Sequence, residues 1–302
     1  MQQQHSINSF TGSDSWVILS PIEQSIKQKI EAVGVPLKDW DIQINYGIKT
    51  GCNEAFIINT EKRDEILSNC QDEAERKRTE ELIRPILRGR DIKRYSYNWA
   101  GLYLIATFPS CHYDIEKYPA VKNYLLEFGI ERLEQTGKSY IVNGEKIRAR
   151  KKTSNKWFET QDSISYWEDF DKPKIVWARL MRISKGDVNS FPRFCAIPSK
   201  MMIVDSLCFF IGDQIDEICH MLNSEYATYY FFRNIAILDN GGMQMRQQYV
   251  ENIPLPKLLK LNKMQLSDNE IFKAFNFNTE EISFIHNYIV ERKQEILLGG
   301  DH

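Results

Sequence analysis

Ile42, Ile44 and Tyr46 alternate with polar neighbours, the period-two pattern of a half-buried strand. Gly47 and Gly51 then bracket a tight turn, and the apolar run 55–58 reads as a second strand, so 42–58 is expected to fold as strand, glycine-rich turn, strand. Short apolar runs predict further strands at 16–19, 102–108 and 174–178, and an antiparallel pair at 201–204 and 207–211 joined through Asp205-Ser206. Helical spacing appears elsewhere. Ser20-Pro21 opens a helix with Ser20 as N-cap, Ile22, Ile26 and Ile30 on one face and Gly34 at its end. The charged stretch 60–78 reads as a solvated helix broken near Ser68-Asn69. Tyr118-Pro119 starts another helix with Val121, Tyr124, Leu125 and Phe128 on its apolar face. Asp213 caps a helix carrying Ile215, Ile218, Leu222, Tyr226, Tyr229 and Tyr230. A final amphipathic helix covers 278–298, with Ile282, Ile285, Ile289 and Ile296 near one stripe. The stretches 137–156 and 181–194 read as polar loops, the second with a Lys185-Gly186-Asp187 turn, and Asp239-Asn240-Gly241-Gly242 is a breaker. Strands and helices mix without a βαβ alternation. The expected class is therefore α+β, a largely antiparallel mixed sheet with flanking helices and a C-terminal helix.

The chain has 302 residues, 42% of them hydrophobic, enough for one large domain or two small ones. A net charge of −2 does not announce a polyanionic partner, so any such footprint must be local. The six cysteines, Cys52, Cys70, Cys111, Cys195, Cys208 and Cys219, form no C-x-x-C pair and read as free thiols of a reducing, cytoplasmic compartment. No apolar run is long enough for a membrane span. The Gln/Ser/Asn-rich stretch 1–14 has the composition of a disordered tail.

Local charge is another matter. The turn after Tyr46 carries Lys49, Thr50 and Asn53, each able to donate to an anionic oxygen. Arg84, Arg88, Arg90, Lys93 and Arg94 crowd a stretch whose acids are Glu81 and Asp91. Lys146, Arg148, Arg150, Lys151, Lys152 and Lys156 form a run without an acid that ends on Trp157-Phe158. Cations beside aromatics suit a phosphate backbone; a solvated loop is the other reading, and both stay open at this level. Arg179, Arg182, Lys185, Asn189 and Arg193 lie in one loop, and Gln244, Arg246, Gln247 and Gln248 follow the Gly-Gly pair. Arg and Gln are the side chains whose geometry matches guanine and adenine edges, though a polar linker would have the same composition.

The stretches GIKTGCNEAFII and IRPILRGRDIKRY resemble, in that order, the specificity (target recognition) domain of the TaqI-like, type IIG DNA adenine methyltransferases. So do Tyr118 to Leu125, Lys156-Trp-Phe-Glu159, Lys172 to Trp177, Leu222-Asn-Ser224 and Asn252-Ile-Pro-Leu-Pro256. The resemblance covers roughly 37–260 and divides the chain into a tail and linker helix (1–36), a specificity domain (37–260) and a C-terminal helical segment (261–302). It implies a module that positions double-stranded DNA for a methyltransferase domain or subunit, with or without a nuclease. That partner would carry S-adenosylmethionine and methylate a flipped adenine at N6. On this reading Lys49, Thr50, Arg88, Arg90, Arg148, Arg150, Lys151 and Lys152 would hold the DNA backbone. Arg179, Arg182, Gln244, Arg246 and Gln247 would read bases.

The catalytic parts of such an enzyme have no counterpart in this sequence. No Asn/Asp-Pro-Pro-Tyr loop occurs, and no glycine-rich strand-to-helix turn for S-adenosylmethionine. Glu75-Arg-Lys77 and Glu291-Arg-Lys293 match the Glu-x-Lys spacing of a nuclease metal site but fall on polar helical stretches. Cys219-His220 and the dispersed His5, His112, His286 and His302 give no ligand spacing for a metal. The expectation is no catalytic residue, no metal and no cofactor in this chain. An inactive remnant of a split methyltransferase gene, or a protein-interaction module that does not bind DNA, are the competing expectations.

Overall fold

The computed structural model describes residues 19–183, 186–238, 241–257 and 266–299, which form two compact units. The tail 1–14, most of the expected 16–19 strand, Lys185, Asp239 and Asn240 lie outside the described residues. One unit comprises 43–179 and 193–215, the other 1–42, 180–192 and 216–302. The architecture is α+β and largely antiparallel, with a long C-terminal helix at Thr279–Gly299. No helix among the described residues is long and apolar enough to cross a membrane.

The first unit is built on two four-stranded sheets. One has the order Phe194–Ile197, Lys174–Ala178, Leu207–Gly212, Ile42–Tyr46. The other has the order Met202–Ile203, Ile83–Leu87, Leu102–Ile105, Ile57–Asn59, and its only parallel pair is the first. Strand Lys174–Ala178 is central and nearly all buried, which its apolar Ile-Val-Trp run anticipates. Lys174 is buried with it. Its Nζ donates to the carbonyls of Phe170 at 2.9 Å and Pro198 at 3.3 Å, and burial lowers its pKa to about 8. That carbonyl cage is why a lysine can sit inside this sheet.

Two sequence expectations are corrected here. The second strand of the 42–58 stretch begins at Ile57 rather than Ala55, and it does not pair with the first. Ile42–Tyr46 and Ile57–Asn59 lie in different sheets, and Asn53–Phe56 makes one helical turn between them. The reason is Gly47, where the chain passes so close to Val204 that any Cβ would collide with its carbonyl. Gly47 N–H donates to Leu207 O and Ile48 N–H to Ile203 O, so the backbone is diverted into the second sheet. The 201–211 stretch likewise is not an antiparallel pair: Met202–Ile203 runs parallel to Ile83–Leu87, while Leu207–Gly212 pairs with Lys174–Ala178. Asp205-Ser206 is a crossing between sheets rather than a hairpin turn.

The second unit is mostly helical. Pro21–Val33 starts at Ser20 in a capping box with Glu23, as its sequence predicts. The expected 213–230 helix is two helices, Ile215–Leu222 and Glu225–Asn234, because Ser224 caps the second. Tyr229 stacks edge-on against Tyr288 of the C-terminal helix at 5.3 Å, and Tyr226 donates its hydroxyl to Pro254 O at 2.6 Å. Glu281 is buried and accepts from Lys29 at 2.7 Å and Ser25 at 2.6 Å, tying the first helix to the last. Two short ribbons complete the unit: Gly34–Pro36 with Pro254–Pro256, and Leu180–Arg182 with Gly242–Gln244.

Candidate nucleic-acid interface

Residues 137–156, expected as a loop, contain a β-hairpin. Ser139–Val142 pairs antiparallel with Glu145–Arg148. Asn143 and Gly144 have φ of 52° and 86° and form the turn, the pair that a type I′ hairpin demands. Asn-Gly between alternating Tyr140, Val142 and Ile147 is the signal that identifies it from sequence. Below the hairpin, Ala149 N–H donates to Lys138 O and Gly137 N–H to Arg150 O, so pairing continues to Arg150.

Arg150 corrects the expected backbone-contact set. It is 4% exposed, and its guanidinium is used up inside the protein. Nε donates to Leu133 O at 2.7 Å, one terminal nitrogen to Thr50 O at 2.8 Å and Glu159 O at 2.7 Å, and the other to Trp157 O at 2.6 Å. The group lies 5.0 Å over the Phe56 ring, and burial lowers its pKa to about 10. Arg150 thus knots the glycine turn at 49–53 and the Lys156-to-Glu159 segment to the base of the hairpin. Thr50 is also withdrawn from solvent. Its hydroxyl donates to Asn53 Oδ1 at 2.6 Å and accepts from Cys52 N–H at 3.1 Å. These two residues shape the site from inside, with their polar groups bonded to partners within the protein.

The other expected backbone contacts are placed differently. Lys49, Arg90, Arg148, Lys151 and Lys152 are exposed. Arg88 is half-buried, forking onto Asp91 at 3.1 and 2.9 Å, and that pairing raises its pKa. A cleft of about 360 Å³ is lined by Gly51 to Glu54, Arg132 and Arg148 to Arg150. It brings the glycine turn and the basic run together. Arg132, paired with Glu54, is the cleft cation that sequence reading missed; nothing in the short helix Ile130–Leu133 marks it beforehand.

The expected base readers fall into two groups. Arg179 is exposed in the first unit, donating to Asp205 O at 3.3 Å and lying 5.5 Å over Tyr46. The rest lie in the second unit, where 180–182 is a strand instead of the expected loop. Register sets Leu180 opposite Gln244 and Arg182 opposite Gly242, while Met181 and Met243 point inward and are fully buried. Arg182 and Gln244 therefore share the outer face of one ribbon. Arg246 is exposed just beyond it, whereas Gln247 donates to Glu251 Oε2 at 2.9 Å.

Glu75 is committed to the fold. It is 2% exposed, and its carboxylate accepts the backbone N–H groups of Gln71 and Ala120, both at 2.8 Å. No group of three or more His, Cys, Asp or Glu that could hold a metal occurs among the described residues.

The family model of the TaqI-like C-terminal specificity domain matches residues 84–255, more than half of the chain. The chain belongs to that family. This TaqI-like specificity domain is similar in fold to the type IIG restriction endonuclease BpuSI, with TM-score 0.53 and 12% identity over 93% of this chain and 33% of that one. The type IIL restriction-modification enzyme MmeI, solved in complex with DNA, aligns with TM-score 0.49 and 12% identity over 86% of this chain and 36% of that one. The chain thus spans about a third of each of these proteins' length. No curated protein matches it.

Proposed function

We propose that this chain is the sequence-reading module of a type IIG-like or BREX-like restriction-modification system. It holds duplex DNA so that a methyltransferase domain or subunit outside this sequence flips an adenine and methylates N6. S-adenosylmethionine belongs to that partner, and no residue here is assigned to it. The setting is cytoplasmic, where such a system meets incoming DNA. The boundaries 37–260 for the reading module and 261–302 for a C-terminal helical segment are part of the same proposal.

The observation that carries the reading is the ribbon Leu180–Arg182/Gly242–Gln244, in a chain of the TaqI-like specificity family. A two-stranded ribbon fits the major groove, and Arg and Gln there match guanine and adenine edges. Arg246, exposed at the ribbon's exit, extends the set. Lys49 and Arg90, exposed beside glycines, suit sequence-independent positioning. Arg182→Ala and Arg246→Ala should each cost about 1–3 kcal/mol on a preferred duplex and little on scrambled DNA. Lys49→Ala should weaken both alike. Paired titrations at one salt concentration separate the two behaviours. Equal losses on both duplexes for the arginine variants would remove this ribbon from the reading surface.

A further inference from the structure

The hairpin Ser139–Val142/Glu145–Arg148 has an outer face that phosphate contact alone does not explain. Register sets Ile141 opposite Lys146 and Ser139 opposite Arg148, so these four side chains share one face, and all four are exposed. Ile141 is 73% exposed; among the described residues only Leu298, at 79%, is a more exposed large apolar side chain. The opposite face already supplies the packing. Tyr140, Val142 and Ile147 are half-buried there, and Tyr140 donates its hydroxyl to Glu134 at 2.7 Å. At this exposure Ile141 adds little to the packing; β-branching favours a strand here, but threonine would supply that without leaving aliphatic surface in water beside Lys146 and Arg148.

What such a face fits is set by its composition and shape. A type I′ turn holds the two strands in their natural twist, giving a narrow ribbon. The major groove admits a two-stranded ribbon, and the apolar feature on its floor is the C5 methyl of thymine. Lys146 directly across from Ile141, and Arg148 one pair further along the same face, supply the positive charge the groove walls attract. We propose that this hairpin enters the major groove and that Ile141 packs on a thymine methyl, making it a specificity-determining residue. This rests on the duplex-reading function proposed above.

The test starts from the sequence that the purified chain enriches out of a randomised duplex pool. Each thymine of that site is then replaced, one at a time, by deoxyuridine, which lacks only the methyl group. One replacement should weaken binding about fourfold, the equivalent of about 0.8 kcal/mol for one buried methyl. Ile141→Ala should bind the thymine duplex at least fourfold more weakly and be indifferent to that replacement, while Ile141→Val should keep the sensitivity. The proposal is overturned if no thymine is sensitive, or if Ile141→Ala remains as sensitive as the parent. Loss of DNA bending in Ile141→Ala without any methyl effect would instead make it a minor-groove wedge, and would also overturn the proposal. In those cases sequence reading itself survives. A pool that yields no enriched sequence defeats the reading function and this proposal together.

Discussion

Arg150→Met should lower the thermal midpoint by on the order of 10 °C, a loss of about 3 kcal/mol or more. The substitution keeps bulk and removes every donor. Leu133, Thr50 and Trp157 carbonyls would then face the interior without the guanidinium that satisfies them; Glu159 O would keep only its 3.1 Å bond from Gln135. Each buried carbonyl left unpaired costs about 1–3 kcal/mol, against a net stability of about 5–15 kcal/mol for a typical domain. Arg150→Lys should not rescue it, because an ammonium is a point donor and cannot span four carbonyls in a fixed fork. Arg148→Ala, two residues away and exposed, should move the midpoint by no more than a degree or two. Thermal unfolding of the three variants checks this. A midpoint for Arg150→Met within 2 °C of the parent would contradict the interior role assigned here.

The second large effect is on DNA affinity. Lys146, Arg148, Lys151 and Lys152 are exposed within one short stretch, and the first two share a hairpin face. If all four neutralise phosphates, changing them together to alanine removes about 3–4 units from the slope of log affinity against log salt. Carried over a tenfold range of salt, that amounts to roughly a thousandfold in affinity near 0.1 M. The loss should be similar on preferred and scrambled duplexes, because phosphate contacts carry no sequence information. The four side chains face water, so thermal stability should hardly change. Titrations at several salt concentrations give the slope directly. A slope equal to the parent's would return this stretch to the status of a solvated surface.

These two variants also mark where sequence reading stops. Arg148 and Arg150 stand in the same basic run and are equivalent by composition. Strand alternation beyond Asn143-Gly144 was legible and would have put Lys146 and Arg148 on one face. What separates Arg150 is its partners at 50, 133, 157 and 159, and no local pattern reports contacts that distant. The buried Lys174 is hidden for the same reason, its cage coming from residues 170 and 198. The capped first helix, the last helix and the central strand at 174–178 were legible because caps, heptad-like stripes and apolar runs are local. Strand partners were not. Gly47 could be seen to bend the chain, but not that it presses against Val204 and sends the next strand into another sheet. The proposed readers Arg182 and Gln244 stand out in the sequence by residue type alone. The ribbon that sets them on one face needs the pairing of 180–182 with 242–244, some sixty residues apart.

The proposed function requires this chain to read duplex sequence. Selection from a randomised duplex pool by the purified chain, with competitor DNA at physiological salt, tests it most directly. One short defined sequence should be enriched, and that enrichment should be lost, with residual non-specific binding kept, in the Arg182→Ala, Arg246→Ala double variant. Retention of the pool without any enriched sequence, or the same enriched sequence from the double variant, would contradict it.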